Sequence, residues 1–338
     1  MQLTVPRCES GEDVVTSEAN PGPNHPGPAT AVSRRRMLAG ALGAVAAAGT
    51  AGSLLALAGD ASIHEHATAT KRAVRLTPPD PVGGWLAGTL YVALYGHPGS
   101  STLGVLGEQG VEQAVARARR VAGAYASFGR PVVPTFEIIA TVASSSAGSD
   151  GDYSNEFASS RFQPWIDAAR AHGLHVILDL QPGRATFPSQ AREIGALLAQ
   201  RNVSLALDPE WRVGPTQRPG GGRIGTVDGV EINETIDYLD GVVRRFSLPP
   251  KMLVVHQFTP SMVTNKAIIR GTPNVQVVFQ MDGFGTLDLK IGSWNRMVSD
   301  LPVGALTGWK NFYDEDRPTP TPAATLSVLP TPIYVSYQ

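Results

Sequence analysis

The chain has little cysteine and no excess of charge of either sign. Its single cysteine, Cys8, stands near the N-terminus, far upstream of the patterned part of the sequence. That part therefore has no disulfide, no thiol nucleophile and no thiolate metal ligand, so packing must stabilise it. Lys and Arg together number 28 and Asp and Glu 29, and the two signs are interspersed. Because no basic stripe is available to neutralise phosphates, we expect no nucleic-acid partner.

Several enzyme signatures are also missing. The sequence has no His-Glu-x-x-His or His-x-x-x-His, the helical motifs of common zinc hydrolases. Gly99-Ser100 lacks the second glycine of a nucleophile elbow, which argues against a serine esterase. The glycine triplet at 220–222 is not followed by Lys-Ser or Lys-Thr, as a phosphate-binding loop would be. We expect neither a metal nor a cofactor, while a mixed His and Asp site assembled from several strands stays open.

The first 84 residues have the composition of targeting and linking segments. Residues 1–33 are rich in Pro, Gly, Ser and Glu, which predicts disorder. Residues 34–61 start with three arginines, continue with an apolar Ala/Gly-rich run and end in small residues, as in a twin-arginine-type signal peptide. If uncleaved, residues 37–58 approach the roughly 20 residues that span a bilayer and would form a membrane tether. Residues 62–84 are a predicted linker, and we expect an extracytoplasmic protein, secreted or in the cell envelope.

From residue 85 onwards, short apolar runs alternate with stretches that have helical spacing. Each run ends in polar or acidic residues, and strands that alternate with helices predict a parallel sheet. The predicted strands are 90–97, 132–139, 174–181, 203–210, 252–258, 275–282, 305–312 and 332–338. Eight such units predict an α/β fold, a single-domain (β/α)8 TIM-like barrel over residues 85–338.

The segments between the strands include three clear helices and two long polar stretches. Helices are predicted over 111–128, 162–171 and 233–246. The polar loop 143–156 contains Asp150, Asp152, Ser154 and Glu156, but it lacks the glycine and the length of an EF-hand loop. We interpret it as a solvated lid, and the glycine-rich stretch 214–229 as a mobile flap.

Acidic residues recur where the predicted strands end, the face at which barrel enzymes carry their reactive groups. Asp208 and Glu210 are two residues apart, so on a strand both carboxylates would point into one pocket. Two carboxylates in a shared site cannot both ionise cheaply, which yields an acid beside a base. We expect Glu210 to be the acid and Asp208 its partner, with Glu137 and Asp179 the next candidates for the second carboxylate.

Other strand-end residues are suited to bind a hydroxyl-rich ligand. Histidine and glutamine offer hydrogen bonds, and a tryptophan face can stack on a pyranose ring. Tyr91 and Tyr95 are instead predicted to fill the barrel interior. The predicted substrate-binding residues are His97, Gln181, Arg184, Trp211, His256, Gln257, Gln280, Asp282 and Lys310.

Six stretches of the sequence resemble an actinobacterial family of exported, glycoside-hydrolase-like barrel proteins of unassigned function. They are 104–109 (GVLGEQ), 151–156 (GDYSNE), 178–184 (LDLQPGR), 207–212 (LDPEWR), 255–258 (VHQF) and 308–316 (GWKNFYDED). The resemblance spans about residues 90–338 and implies export and a hydrolase-like barrel. It brings no established activity with it.

These observations predict a hydrolase that acts on a carbohydrate, with an envelope glycan as the expected substrate. A carboxylate pair would catalyse glycoside hydrolysis by acid/base chemistry. Two alternatives stay open. One is a non-catalytic glycan-binding barrel that uses the same residues, and the other is a metal-dependent hydrolase built on Asp179, Asp208, His256 and Asp282.

Overall fold

The computed structural model describes residue 86 and residues 88–338. The predicted segments 1–33, 34–61 and 62–84 lie outside the described residues. No helix formed by the described residues combines the length and the apolar character that a bilayer crossing requires.

Within the described residues, eight parallel strands close into a barrel, which confirms the predicted (β/α)8 fold. Each strand pairs with its neighbours in chain order, and the last pairs with the first. The strands are β1 Leu90–Gly96, β2 Val132–Ile139, β3 His175–Leu180, β4 Val203–Leu207, β5 Lys251–Gln257, β6 Val275–Met281, β7 Leu306–Asn311 and β8 Tyr334–Tyr337.

Helices follow most of the strands and form the outer layer. They are α1 Val111–Gly123, α2 Gln163–Ala171, α3 Phe187–Glu193, α4 Gly195–Leu198, α5 Gly229–Phe246, α6 Leu287–Val298 and α7 Pro322–Leu326. The predicted helix 111–128 ends at Gly123, and its last part is a 3-10 turn, Ala126–Phe128. Helix α5 begins four residues before the predicted 233, because the side chain of Asp228 caps it by accepting the Val230 N–H at 2.9 Å.

The strands bury alternate side chains on the two sides of the sheet, as their period of two requires. On β1, Leu90, Val92 and Leu94 pack in the main core between sheet and helices. Tyr91 and Ala93 point the other way, into a second apolar cluster inside the lower barrel. The face of β1 predicted to line the interior is therefore confirmed, and the upper interior is left for other residues.

Strand β4 is shorter than the sequence pattern predicts. It ends at Leu207, and Pro209–Trp211 forms a 3-10 turn. Proline has no N–H to donate to a neighbouring strand and its φ is fixed, so it ends the extended conformation here. The prediction that Glu210 continues the strand is wrong, and the period of two does not apply beyond Leu207.

Two smaller sheets order the predicted polar loops. Thr141–Ala143 pairs antiparallel with Ser154–Glu156, which narrows the predicted lid to a hairpin above β2. Val227–Asp228 pairs in parallel with Val263–Thr264. The predicted flap is attached at Gly225, whose N–H donates to the carbonyl oxygen of Glu210 at 2.7 Å.

Candidate active site

Five ionisable side chains meet inside the upper part of the barrel, where the strands end. We call this group the ionisable layer, and each member is fully buried: Glu137 of β2, Asp179 of β3, His256 of β5, Asp282 after β6 and Lys310 of β7. Branched apolar side chains usually fill this part of a barrel. Burying charge is costly, so an interior of this kind points to a functional site.

His256 lies between two carboxylates and is hydrogen-bonded at both ring nitrogens. Nε2 is 2.8 Å from Oε1 of Glu137, and Nδ1 is 2.8 Å from Oδ2 of Asp282. Burial alone would lower the pKa of His256, but the charges and hydrogen bonds of Asp282 and Glu137 raise it well above its usual value. The ring is therefore an imidazolium that donates two hydrogen bonds, and it has no lone pair for proton abstraction or metal binding.

Glu137 has both carboxylate oxygens engaged. Oε1 faces His256, and Oε2 accepts the hydroxyl of Tyr334 at 2.7 Å. Burial and the neighbouring Glu137 raise the pKa of Tyr334 well above its usual value, so this hydroxyl keeps its proton. Glu137 is thus fixed in position by His256 and Tyr334, one at each oxygen, and it orients the layer.

Lys310 supplies the second positive charge of the layer. Its Nζ is 3.6 Å from Oδ2 of Asp282 and 3.4 Å from the centre of the Tyr95 ring. Two cations, Lys310 and His256, balance two carboxylates, Glu137 and Asp282. The layer is close to neutral as long as Asp179 keeps its proton.

Asp179 is the carboxyl group that keeps its proton. Burial is the largest cause, and the negative charges of Asp208 and Glu137 add to it, so the pKa of Asp179 rises to about 8 against the pull of His256 and Lys310. Oδ2 accepts the hydroxyl of Tyr95 at 3.1 Å. Oδ1 has no hydrogen-bond partner within the described part of the chain. Nε2 of His256 lies 4.0 Å from Oδ1, beyond hydrogen-bond distance. A protonated acid with one oxygen outside any hydrogen bond suits a proton donor.

Asp208 and Glu210 lie on the segment that follows β4, and Asp208 is close enough for its charge to raise the pKa of Asp179. Both side chains are buried, and Oδ2 of Asp208 accepts the indole N–H of Trp211 at 3.1 Å. Glu210 lines a small recess above the layer together with Tyr95, Gln181 and Trp211. The 3-10 turn, rather than a continuing strand, places Glu210 there.

Two of the predicted glutamines belong to this centre. Gln181 donates through Nε2 to the Tyr95 hydroxyl at 3.4 Å and accepts the Ala143 N–H at 3.1 Å. Gln280 donates to Oγ of Ser336 at 2.5 Å. They link the end of β3 to β1 and β6 to β8, in each case across the strand that lies between.

The other predicted binding residues contact parts of the chain outside the layer. His97 bonds to the carbonyl oxygen of Ile139 at 2.8 Å and packs on the ring of Phe157, and burial lowers its pKa. The Nε of Arg184 donates to the carbonyl oxygen of Gln217 at 2.8 Å.

Gln257 and Trp211 also differ from their predicted use. Gln257 follows the inward-facing His256 and donates instead to the carbonyl oxygen of Thr259 at 3.1 Å, because neighbouring strand residues face opposite sides. Trp211 is only 1% exposed, so its indole offers no surface on which a sugar ring could stack.

Sequence reasoning missed three residues of the site. The sequence predicts that Tyr95 only fills the barrel interior, yet its hydroxyl donates a hydrogen bond to Asp179. Tyr334 and Ser336 of β8 bond to Glu137 and Gln280. Their inward positions two residues apart on the last strand are the signal that could have found them.

Among the described residues, one acidic group lies in metal-ligand geometry, and it is outside the barrel. Carboxylate oxygens of Asp150, Asp152 and Glu156 lie within 4.8 Å of one another in the loop above β2. Burial, with Glu156 and Asp150 nearby, raises the pKa of Asp152 to about 7. A retained proton is enough to relieve the repulsion among these carboxylates.

The chain is thus a (β/α)8 barrel with an ionisable layer at the C-terminal ends of its strands. No family model matches it, and the search for curated relatives found no match. It is similar to the xylanase and alpha-amylase inhibitor protein of Scadoxus multiflorus, at 14% identity over 74% of this chain and 93% of that one, with a TM-score of 0.39.

Two further solved structures are similar at the same level. The cellulose synthase subunit Z of Clostridioides difficile is 9% identical over 74% of this chain and 91% of that one, with a TM-score of 0.38. A truncated 3-deoxy-D-arabino-heptulosonate 7-phosphate synthase of Thermotoga maritima is 12% identical over 66% and 75%, with a TM-score of 0.31. Such likeness says nothing about activity, and the fold rests on the strand order itself.

Proposed function

We propose that the protein is an exported carbohydrate-active hydrolase that cleaves glycosidic bonds, with an envelope glycan as substrate. The observation that carries the proposal is the burial of Asp179 next to Asp208 where the strands end, a setting that raises the pKa of Asp179 to about 8. Glycoside hydrolysis requires one carboxyl group that delivers a proton and one carboxylate on the reacting sugar. Environments that push two carboxyl pKa values apart supply this pair.

In this mechanism Asp179 protonates the glycosidic oxygen through Oδ1, and the leaving sugar departs as an alcohol. Glu210, at the recess, is the carboxylate that stabilises the sugar cation and takes the proton of the water molecule that attacks it, so that the hydroxyl adds to the sugar. Asp208 keeps the proton on Asp179 by its negative charge. The acid role predicted for Glu210 therefore passes to Asp179.

The two alternatives have less support. A metal-dependent hydrolase needs His256 as a ligand, but both ring nitrogens already bond to carboxylates. A glycan-binding barrel would use tryptophan faces, and Trp211 and Trp309 are both buried. Export rests on the arginines and the apolar run of residues 34–61.

The test is turnover on a panel of bacterial envelope glycans, measured as new reducing ends. We expect Asp179→Asn and Glu210→Gln each to lower kcat by roughly 100-fold or more while glycan binding persists. Asp167→Asn is the matched control, because Asp167 lies on the outer helix α2, where it pairs with Arg170 and accepts from Gln163. Binding without turnover by the unchanged chain would support the glycan-binding barrel, and full activity of both variants would refute the proposed roles.

A further inference from the structure

Tyr95 lies at the centre of the site, between Lys310 and Asp179. It is the last inward-facing side chain of β1, and its hydroxyl donates to Oδ2 of Asp179 at 3.1 Å. The Tyr95 hydroxyl oxygen in turn accepts a hydrogen bond from Nε2 of Gln181 at 3.4 Å. Because the Tyr95 oxygen accepts a hydrogen bond from Gln181, the hydroxyl proton of Tyr95 is left to donate to Asp179.

Lys310 strengthens this hydrogen bond from the other side of the ring. Its ammonium is 3.4 Å from the ring centre, and Nζ makes no hydrogen bond within the described residues. A cation over the face of a phenol stabilises negative charge on its oxygen, so the hydroxyl becomes a stronger donor.

We propose that Tyr95 is a positioning residue that holds the catalytic proton of Asp179 on Oδ1. A hydroxyl that donates to Oδ2 leaves Oδ1 as the oxygen that carries the acid proton. Oδ1 is also the oxygen without a hydrogen-bond partner in the described part of the chain. Oδ1 lies 4.0 Å from Nε2 of His256, inside the ionisable layer. The catalytic consequence rests on the proposed function, but the hydrogen bond and its effect on Asp179 do not.

A titration of Asp179 reports on every charged or titratable group packed around it. Asp208, Glu137 and burial favour the neutral acid, and His256 and Lys310 favour the carboxylate. The groups that face Asp179 are Tyr95 of β1, Glu137 of β2, Asp208 after β4, His256 of β5, Lys310 of β7 and Tyr334 of β8. Tyr95→Phe changes none of these charges and removes the hydroxyl, which donates to Asp179 and accepts from Gln181.

The direction of the pKa change in Tyr95→Phe depends on which form of Asp179 the hydroxyl stabilises more. A donor stabilises the carboxylate more than the neutral acid, so its removal raises the pKa of Asp179. We expect Tyr95→Phe to raise it by about one to two pKa units, the range of a hydrogen bond to a charged group. Tyr91→Phe is the control, since Tyr91 lies on the same strand and face but in the lower apolar cluster.

The experiment is an infrared titration of the full-length chain, with the Asp179 carbonyl band assigned by its loss in Asp179→Asn. The expected result is an upward shift in Tyr95→Phe and none in Tyr91→Phe. An unshifted or lowered pKa in Tyr95→Phe overturns the proposal. The proposal is also overturned if Asp179 in the unchanged chain ionises in the ordinary range of aspartate. That result does not depend on how well Tyr95→Phe folds.

Kinetics add a second measurement wherever the glycan panel reveals turnover. Tyr95→Phe should lower kcat with little change in KM and move the alkaline limb of the pH profile upward. A change in KM alone, with the limb unmoved, would mean that Tyr95 only packs against the substrate. Absence of turnover in the unchanged chain would refute the hydrolase, while the titration would still decide the role of Tyr95.

Discussion

Asp179 and His256 occupy the same buried layer, yet each is held in its protonated form for a different reason. For Asp179 the loss of hydration is the largest effect, and it keeps the acid neutral. For His256 the loss of hydration acts against the charge, but two carboxylates at hydrogen-bond distance outweigh it. The layer therefore holds a neutral acid beside a fixed cation, which favours proton donation over proton abstraction.

The raised pKa of Asp179 makes folding stability depend on pH. The folded chain keeps this proton up to about pH 8, whereas unfolded aspartate releases it near 3.8. Between these values the folded state binds more protons, so the free energy of unfolding falls as pH rises. Relative to Asp179→Asn, the free energy of unfolding of the unchanged chain should fall by about 1.4 kcal/mol per pH unit in this window.

Urea unfolding of both chains between pH 4 and pH 9 measures this difference. Contributions from other groups cancel when the two chains are compared, and Asp167→Asn should show no such slope. A difference that stays constant across the window would mean that Asp179 is already ionised in the folded protein.

The residue types at the strand ends allowed Glu137, Asp179, His256 and Lys310 to be selected from the sequence. Their inward direction follows from the period of two. Gln257 was selected on residue type alone, although it follows the inward-facing His256 and must face the other way. Tyr95 was assigned to packing because an apolar ring predicts burial, and the sequence does not reveal the partner of a hydroxyl.

At the scale of elements, the segment after β4 decides where Glu210 lies. Pro209 turns the chain out of the strand, and Gly225 packs against the resulting turn. A Cβ at Gly225 would lie 2.4 Å from the carbonyl oxygen of Pro209 and 2.6 Å from that of Glu210. These are backbone atoms, so a side chain here cannot be accommodated without moving the turn.

Gly225→Ala should therefore destabilise the fold by roughly 1 to 3 kcal/mol, the usual cost of overpacking, and displace Glu210. Urea unfolding measures the first effect, and kcat on a cleaved glycan measures the second. Gly214→Ala in the same stretch is the control, because its nearest neighbour is a flexible Gln217 side chain at 3.4 Å. Equal stability of the two variants would show that the turn yields easily.

The predicted bounds of a strand or helix match the structure where the local sequence pattern delimits the element clearly. They are wrong where a single residue interrupts the pattern. Strand β2 matches its predicted range because apolar residues and a Gly-Arg-Pro stop delimit it. The end of β4 was misjudged because the alternation continues in the sequence past Pro209. The hairpin above β2 depends on antiparallel pairing between residues about a dozen positions apart, which polar composition alone does not predict.

At the scale of the whole molecule, alternation of strands and helices predicts the barrel, but closure depends on the last strand. Strand β8 pairs with β7 on one side and with β1 on the other. It also provides Tyr334 for Glu137 and Ser336 for Gln280. Side chains of both β1 and β8 thus contact the ionisable layer. The layer can therefore form only when the barrel is closed.

Deletion of residues 334–338 should therefore remove both the closure and the site. Strands β1 and β7 would each expose an unpaired edge, and the buried Glu137 would lose the hydroxyl of Tyr334 as a donor. We expect loss of cooperative unfolding and of the near-ultraviolet circular dichroism signal, with binding of a hydrophobic dye. Tyr337→Phe is the control, since it keeps the strand and removes only the hydroxyl, with its 2.7 Å hydrogen bond to Tyr125 and its bond to Asn311, at a cost of about 1 kcal/mol for each bond. A deletion variant that still unfolds cooperatively, with Asp179 titrating near pH 8, would show that seven strands suffice to build the layer.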